Sequence, residues 1–188
     1  MSVMHRLSKG LALFVGLTAL SAVGSEIRWS TKYPDDARPL VSPNGKFRIV
    51  NKDDLNGPLA HGLFLVQGDN NEKPLHEYGR HVRVAWSPSS QNVAVTDFVG
   101  SDESTCVLFD IESSKSIDLA SAVPDQAREL QAILKNHHAY TECTKWISST
   151  VVEVRFTGWG DGDTKRHTRV ARYKLGKGFE LAMNAVKK

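Results

Sequence analysis

The chain has 188 residues, 40% hydrophobic and 24% charged, with 24 Lys and Arg against 21 Asp and Glu, 7 His and 2 Cys, for a formal net charge of +3. So much apolar content at so small a net charge excludes a disordered chain, and two cysteines are too few for a disulfide-dense scaffold or a four-cysteine zinc site. The length suits one ordinary domain.

At the start, Arg6 and Lys9 precede the uncharged run GLALFVGLTALSAVG from Gly10 to Gly24. A basic beginning, an apolar stretch and small residues at Ala22 and Gly24 are the parts of a secretory signal peptide, so cleavage is expected before Ser25. The stretch falls short of the roughly 20 residues that a spanning helix needs. Residues 1–24 are therefore expected to be a signal peptide and residues 25–188 a single β-rich domain, periplasmic or secreted. Losing Arg6 and Lys9 removes most of the positive balance, so neither nucleic acid nor an anionic membrane is an expected partner. The local run Lys165, Arg166, His167, Arg169, Arg172 and Lys174 reads as a wet edge strand. Outside the cytosol, Cys106 and Cys143 are expected to pair as a disulfide.

Beyond the leader, Trp29 to Leu40 is broken by Pro34 and Pro39 and reads as an extended lead-in. Ser42-Pro43-Asn44-Gly45 is a tight turn, and Phe47 and Ile49 alternate with Lys46 and Arg48 as a half-buried strand. Asn51 to Pro58 reads as a loop, Gly62 to Val66 as an apolar strand, and Gly68 to Asn71 as the turn that closes it. The plan then repeats. Val82, Val84 and Trp86 form a strand, Ser87-Pro88-Ser89-Ser90 a turn, Val93 to Phe98 a second strand, and Thr105 to Ile111 a third after the loop Gly100 to Ser104. The two Ser-Pro turns recur at the period of about 40–45 residues expected of a four-stranded propeller blade.

One helix is expected as an insertion, from Pro124 to about His137, with Ala127, Leu130, Ile133 and Leu134 at helical spacing. After it, Cys143 to Trp146, Val151 to Phe156, a hairpin Trp159 to Thr164, Arg169 to Leu175 and a last strand at Phe179 to Leu181 complete the chain. The segments Ser42 to Val50 and Trp86 to Val95 resemble the Ser-Pro-Asp-Gly turn and following strand of TolB-like and WD40-like β-propeller repeats, and Val107-Leu108-Phe109-Asp110 resembles the blade strand that ends in Asp. That resemblance implies a scaffold for binding proteins or peptides rather than a fixed chemistry. A closed ring of four or more blades does not fit this length. The expected fold is therefore mainly β, an antiparallel β-meander or incomplete propeller with sandwich-like sheets and one inserted α-helix.

No motif identifies a reaction. The loop Asp97 to Ser104 holds Asp97, Asp102 and Glu103, a set that would suit calcium but matches no EF-hand spacing. Trp159, Asp161 and Asp163 in the later hairpin form a second candidate binding group, with Trp159 as an aromatic anchor. His137, His138 and Glu142 lack a zinc-helix spacing and are explained by the affinity of His for a helix C-terminus. Trp86 and Trp146 belong to apolar strands and read as core. We accordingly assign no catalytic residue, no metal and no cofactor, and expect an exported, non-enzymatic binding module, of which an inhibitor or immunity protein is one specific form. Its partner is expected to be a protein or peptide, met through loops 97–105 and 158–167. The alternatives are a small exported hydrolase with an Asp/His site assembled from loops, and a structural envelope component.

Overall fold

The computed structural model describes residues 31–53, 60–68, 71–162 and 165–180. The expected signal peptide, Trp29, most of the loop after Asn51, Asp163 and Leu181 lie outside the described residues.

The described elements run β1 (Thr31–Tyr33), β2 (Leu40–Val41), β3 (Phe47–Asp53), β4 (His61–Gln67), β5 (Asn71–Tyr78), β6 (Val82–Trp86), β7 (Asn92–Asp97), β8 (Glu103–Asp110), β9 (Ser116–Asp118), α1 (Arg128–Leu134), β10 (His138–Ser148), β11 (Val151–Trp159), β12 (His167–Lys174) and β13 (Gly178–Glu180). They form three successive four-stranded antiparallel meanders: β2 to β5, β6 to β9, and β10 to β13. The second and third share one sheet because β10 runs parallel to β8 over two residue pairs, Ala139 with Glu103 and Tyr140 with Ser104. The lead-in contributes β1, which adds to the free edge of β6.

The internal repeat is visible atom by atom. In the first Ser-Pro turn, Ser42 N–H donates to the Phe47 carbonyl at 2.9 Å, Gly45 N–H to the Ser42 carbonyl at 2.8 Å, and Phe47 N–H to Ser42 Oγ at 3.0 Å. In the second, Ser87, Ser90 and Asn92 make the same three bonds at 2.8, 2.9 and 3.1 Å. Gly45 has a φ of 71° and Ser90 a φ of 64°, so a serine takes the left-handed position that glycine fills in the first copy. Its hydroxyl accepts the Asn44 N–H at 3.0 Å and ties the two turns together. A second repeated device links the meanders: Trp86 Nε1 donates to the Leu40 carbonyl at 3.1 Å and Trp146 Nε1 to the Ala85 carbonyl at 3.3 Å. Both indoles are core, and each clamps the first strand of its own meander onto the first strand of the one before.

The middle meander is buried on both faces. Val82, Val84, Trp86, Val93, Val95 and Phe109 pack toward the first meander's Ile49, Leu63, Leu65 and Tyr78. Ala85, Ala94, Cys106 and Leu108 pack toward the third meander's Val152, Val154 and Phe156 and toward Leu130 and Ile133 of α1. Two-sided burial explains why every residue of β7 is buried, with Val93, Ala94 and Val95 apolar in succession at its centre. Tyr33 lies in the first of these cores, donating its hydroxyl to the Arg38 and Ile49 carbonyls, and burial pushes its pKa up to about 12. Cys106 and Cys143 are joined as the expected disulfide, with Cα atoms 5.7 Å apart.

Several boundaries differ from expectation. The helix begins at Arg128, not Pro124, because Pro124 to Ala127 closes a turn of its own in which Ala127 N–H donates to the Pro124 carbonyl. It ends at Leu134, so His138 opens a strand that was expected to start only at Cys143. β5 and β9 complete the first two meanders and were not expected; Pro74 is tolerated because β5 is a sheet edge. The basic run on β12 is an edge only over His167 to Ala171, since β13 pairs with Arg172 to Lys174.

The helix reaches the third meander at one point of close approach. A Cβ on Gly158 would lie 2.6 Å from the Ile133 carbonyl oxygen and 3.0 Å from Ile133 Cγ2. Only glycine lets the C-terminus of α1 sit this close to β11, which brings the following His137 beside the end of that strand. Gly158→Ala is expected to cost about 1–3 kcal/mol by overpacking against a backbone atom that has little room to yield, read as a lower urea midpoint with unchanged slope.

Candidate binding surface

The β10–β11 register places His138 opposite Trp159, and the parallel contact with β8 brings the loop before Glu103 alongside. Ala139 N–H donates to the Asp102 carbonyl at 2.9 Å, and the Tyr140 hydroxyl donates to the Ser101 carbonyl, so the 97–105 loop is pinned to the start of β10. Three of the residues singled out from the sequence, Asp102, Trp159 and Asp161, meet here, although Asp102 and Asp161 come from different meanders.

Trp159 is half-buried. Its ring stacks on His138 with centroids 4.7 Å apart and on Tyr140 at 5.2 Å, and the Arg166 guanidinium lies 4.6 Å from its centroid. Beyond it, Asp161 Oδ1 is 2.8 Å from His137 Nδ1 and 3.5 Å from His138 Nε2, while Asp102 Oδ2 is 3.9 Å from His137 Nε2. The result is an aromatic strip ending in a cluster of two imidazoles and two carboxylates, with Arg166 at its side. Farther down the same strand, Glu142 accepts from Arg83 at 3.2 Å. Arg83 also lies over Phe98, on which His81 stacks at 4.3 Å. Burial, reinforced by Lys32, lowers the pKa of His81.

The other candidates stand elsewhere. Asp97 is turned inward from the last position of β7, buried, and accepts from His76 Nε2 at 2.7 Å across the interface of the first two meanders. Alternation carried that signal: Asp97 follows Val93 and Val95 on the core face. It therefore does not join Asp102 and Glu103 in one calcium-like set. Glu103 is exposed at the first position of β8, paired in register with Ala139. Asp163 lies outside the described residues. Tyr140 was not singled out from the sequence, His137 and His138 were weighed there with Glu142 and set aside, and Arg166 was read only as part of the basic run; the one legible clue was that Arg166 falls within the chosen loop 158–167.

A groove of about 480 Å³ lies between the first two meanders, lined among others by Phe47, Leu65, Lys73 and Ile111, and a hollow of about 340 Å³ lies beside α1 at Glu129 and Arg169. Neither is lined by Asp97, Asp102, His137, His138, Trp159 or Asp161.

No protein-family profile matches the chain, and no curated protein matches it. Among solved structures, the chain is similar to the β-propeller domain of the Trilobed protease from Pyrococcus furiosus, described as having an open velcro topology, at 15% identity and a TM-score of 0.50 over 77% of this chain and 42% of that one. It is also similar to TolB from Acinetobacter baumannii, at 12% identity and a TM-score of 0.43 over 78% of this chain and 32% of that one. The chain thus spans less than half the length of either. Together with the repeated turns and tryptophan clamps, the first likeness establishes a propeller-like fold of three consecutive blade-like meanders in an open arrangement.

Proposed function

We propose that the protein is an exported, non-catalytic binding module that engages a protein or peptide partner through the surface built by loops 97–105 and 158–167. The observation that carries this reading is the gathering of Asp102, Trp159 and Asp161 with His137, His138, Tyr140 and Arg166 on one outward-facing surface apart from both cavities. Aromatic rings rimmed by charges of both signs suit a polypeptide, and Glu103 adds a further exposed carboxylate at the end of the first loop. An inhibitor or immunity role toward an envelope enzyme or toxin is the specific form we favour. Export is supported by the leader-like start and by the disulfide, which persists in oxidising compartments. Among the described residues no helix is long and apolar enough to cross a membrane.

Affinity capture from an envelope extract with the oxidised protein tests the reading. One partner should be retained in stoichiometric amount by the wild type, and Trp159→Ala should weaken its retention at least tenfold, as loss of an aromatic anchor does. Capture unchanged by Trp159→Ala would move the binding surface elsewhere. Turnover of a generic ester or peptide panel that disappears in His137→Ala would replace the module with a hydrolase. The first residue of the exported chain, expected near Ser25, checks the compartment.

A further inference from the structure

We propose that His137, His138 and Asp161 form a binding site for one divalent transition-metal ion of the Zn²⁺ class. Among the described residues this is where three such side chains bring ligand atoms within 4.8 Å of one another. A tetrahedral zinc ion with bonds of about 2.0–2.2 Å holds neighbouring donors about 3.3 Å apart. His138 Nε2 and Asp161 Oδ1 are already at 3.5 Å, and His137 Nδ1 is at 2.8 Å from the same oxygen, the separation of a hydrogen bond whose proton a metal replaces. Two imidazoles with one carboxylate favour zinc, copper or nickel over calcium or magnesium, which prefer oxygen alone.

Both imidazoles are aimed by their surroundings. Consecutive strand residues point to opposite faces, but His137 precedes β10, in the bend after α1, so its ring meets that of His138 edge to face at 4.9 Å instead of facing away. The bend is held by Asn136, whose side chain donates to the Ala132 and Ile133 carbonyls, and by the close seat of Ile133 on Gly158. Stacking on Trp159 fixes the His138 ring, and its Nδ1 is buried, so Nε2 is the nitrogen it presents to Asp161. Asp102 faces the far nitrogen of His137 at 3.9 Å, the place from which a carboxylate orients a metal-bound imidazole and keeps Nδ1 free for the ion. Three protein ligands leave a fourth position open to solvent.

The site needs no partner and is tested on the chain alone. Calorimetric titration of Zn²⁺ into the oxidised protein, purified without a histidine tag, should show one equivalent bound, and Co²⁺ in its place should give the visible absorption of a four-coordinate site. Asp161→Asn and His138→Ala should each weaken binding at least tenfold, and Asp102→Asn, which reaches only His137, by less than either. Asp161 stands on an exposed turn, so Asp161→Asn reports on the metal without disturbing the core. His61→Ala, at the separate His61–Asp53 pair, should leave the titration unchanged. Absence of saturable Zn²⁺ binding, or a titration unaltered by Asp161→Asn and His138→Ala, overturns the site.

Discussion

Replacing Cys106 and Cys143 together by alanine is expected to lower stability by about 3–4 kcal/mol, because the bond closes a long loop across a sequence separation of 37 residues. For a chain of this size that shift corresponds to a fall in melting temperature of about 6–16 °C. Position makes the crosslink matter beyond loop entropy. It fastens β8 to β10 where the second and third meanders share only two parallel residue pairs. Without it the seam rests on Cys143 N–H donating to Thr96 Oγ1 at 3.1 Å, on Ser104 Oγ donating to the Thr141 carbonyl at 3.4 Å, on the Trp146 clamp and on the apolar core. The same seam sets Asp102 beside His137, so the double variant should also bind Zn²⁺ more weakly with every ligand intact. Calorimetric melting of the oxidised protein and of the variant measures the first effect, and reduction of the wild type should reproduce it. Equal melting temperatures would mean that the hydrogen bonds and packing at the seam hold it without the crosslink.

That seam marks the limit of what is legible in the sequence. The Ser-Pro turns, the alternating strands that follow them, the core tryptophans and the pairing of the cysteines are local or compositional signals, and each is found in the fold. Parallel pairing of β8 with β10 leaves no such trace, since two residue pairs impose no pattern on either strand. β5 is hidden for a different reason: as an edge strand with Pro74 and a register shift at its partner's Leu63 and Phe64, it reads NEKPLHEY and alternates poorly. The start of β10 is polar because His138, Tyr140 and Glu142 share a solvent-facing side, so it looks like the tail of a helix. Within the candidate surface, loop chemistry marks Asp102, Trp159 and Asp161, but their meeting depends on the His138–Trp159 register and on the approach of Ile133 to Gly158. Those are facts of tertiary packing. Asp97 is the opposite case, a residue whose place on the core face of β7 follows from its alternation with Val93 and Val95, although it opens the acidic loop.

The Asp97 pairing supports the second large effect. His76→Ala is expected to destabilise the protein by about 2–4 kcal/mol, more than Asp97→Asn, although both changes fall on the same 2.7 Å contact. The asymmetry follows from what each leaves behind. Asp97 is buried, with a side chain only 8% exposed, and its Oδ1 already has no hydrogen-bond partner in the fold. Removing His76 strips the other oxygen as well and leaves a desolvated carboxylate at the interface of the first two meanders with nothing to satisfy it. Removing the charge of Asp97 leaves a neutral amide that still accepts from the imidazole, and His76 has access to water at 19% exposure. Replacing both by leucine should recover much of the loss of His76→Ala, because the first two meanders meet here through an apolar core into which an uncharged pair can pack. Urea denaturation of the three variants at neutral pH decides the point. A double variant no more stable than His76→Ala would show that this His–Asp pair stabilises the interface in its own right, and that the cost of His76→Ala is not the stranding of a buried charge.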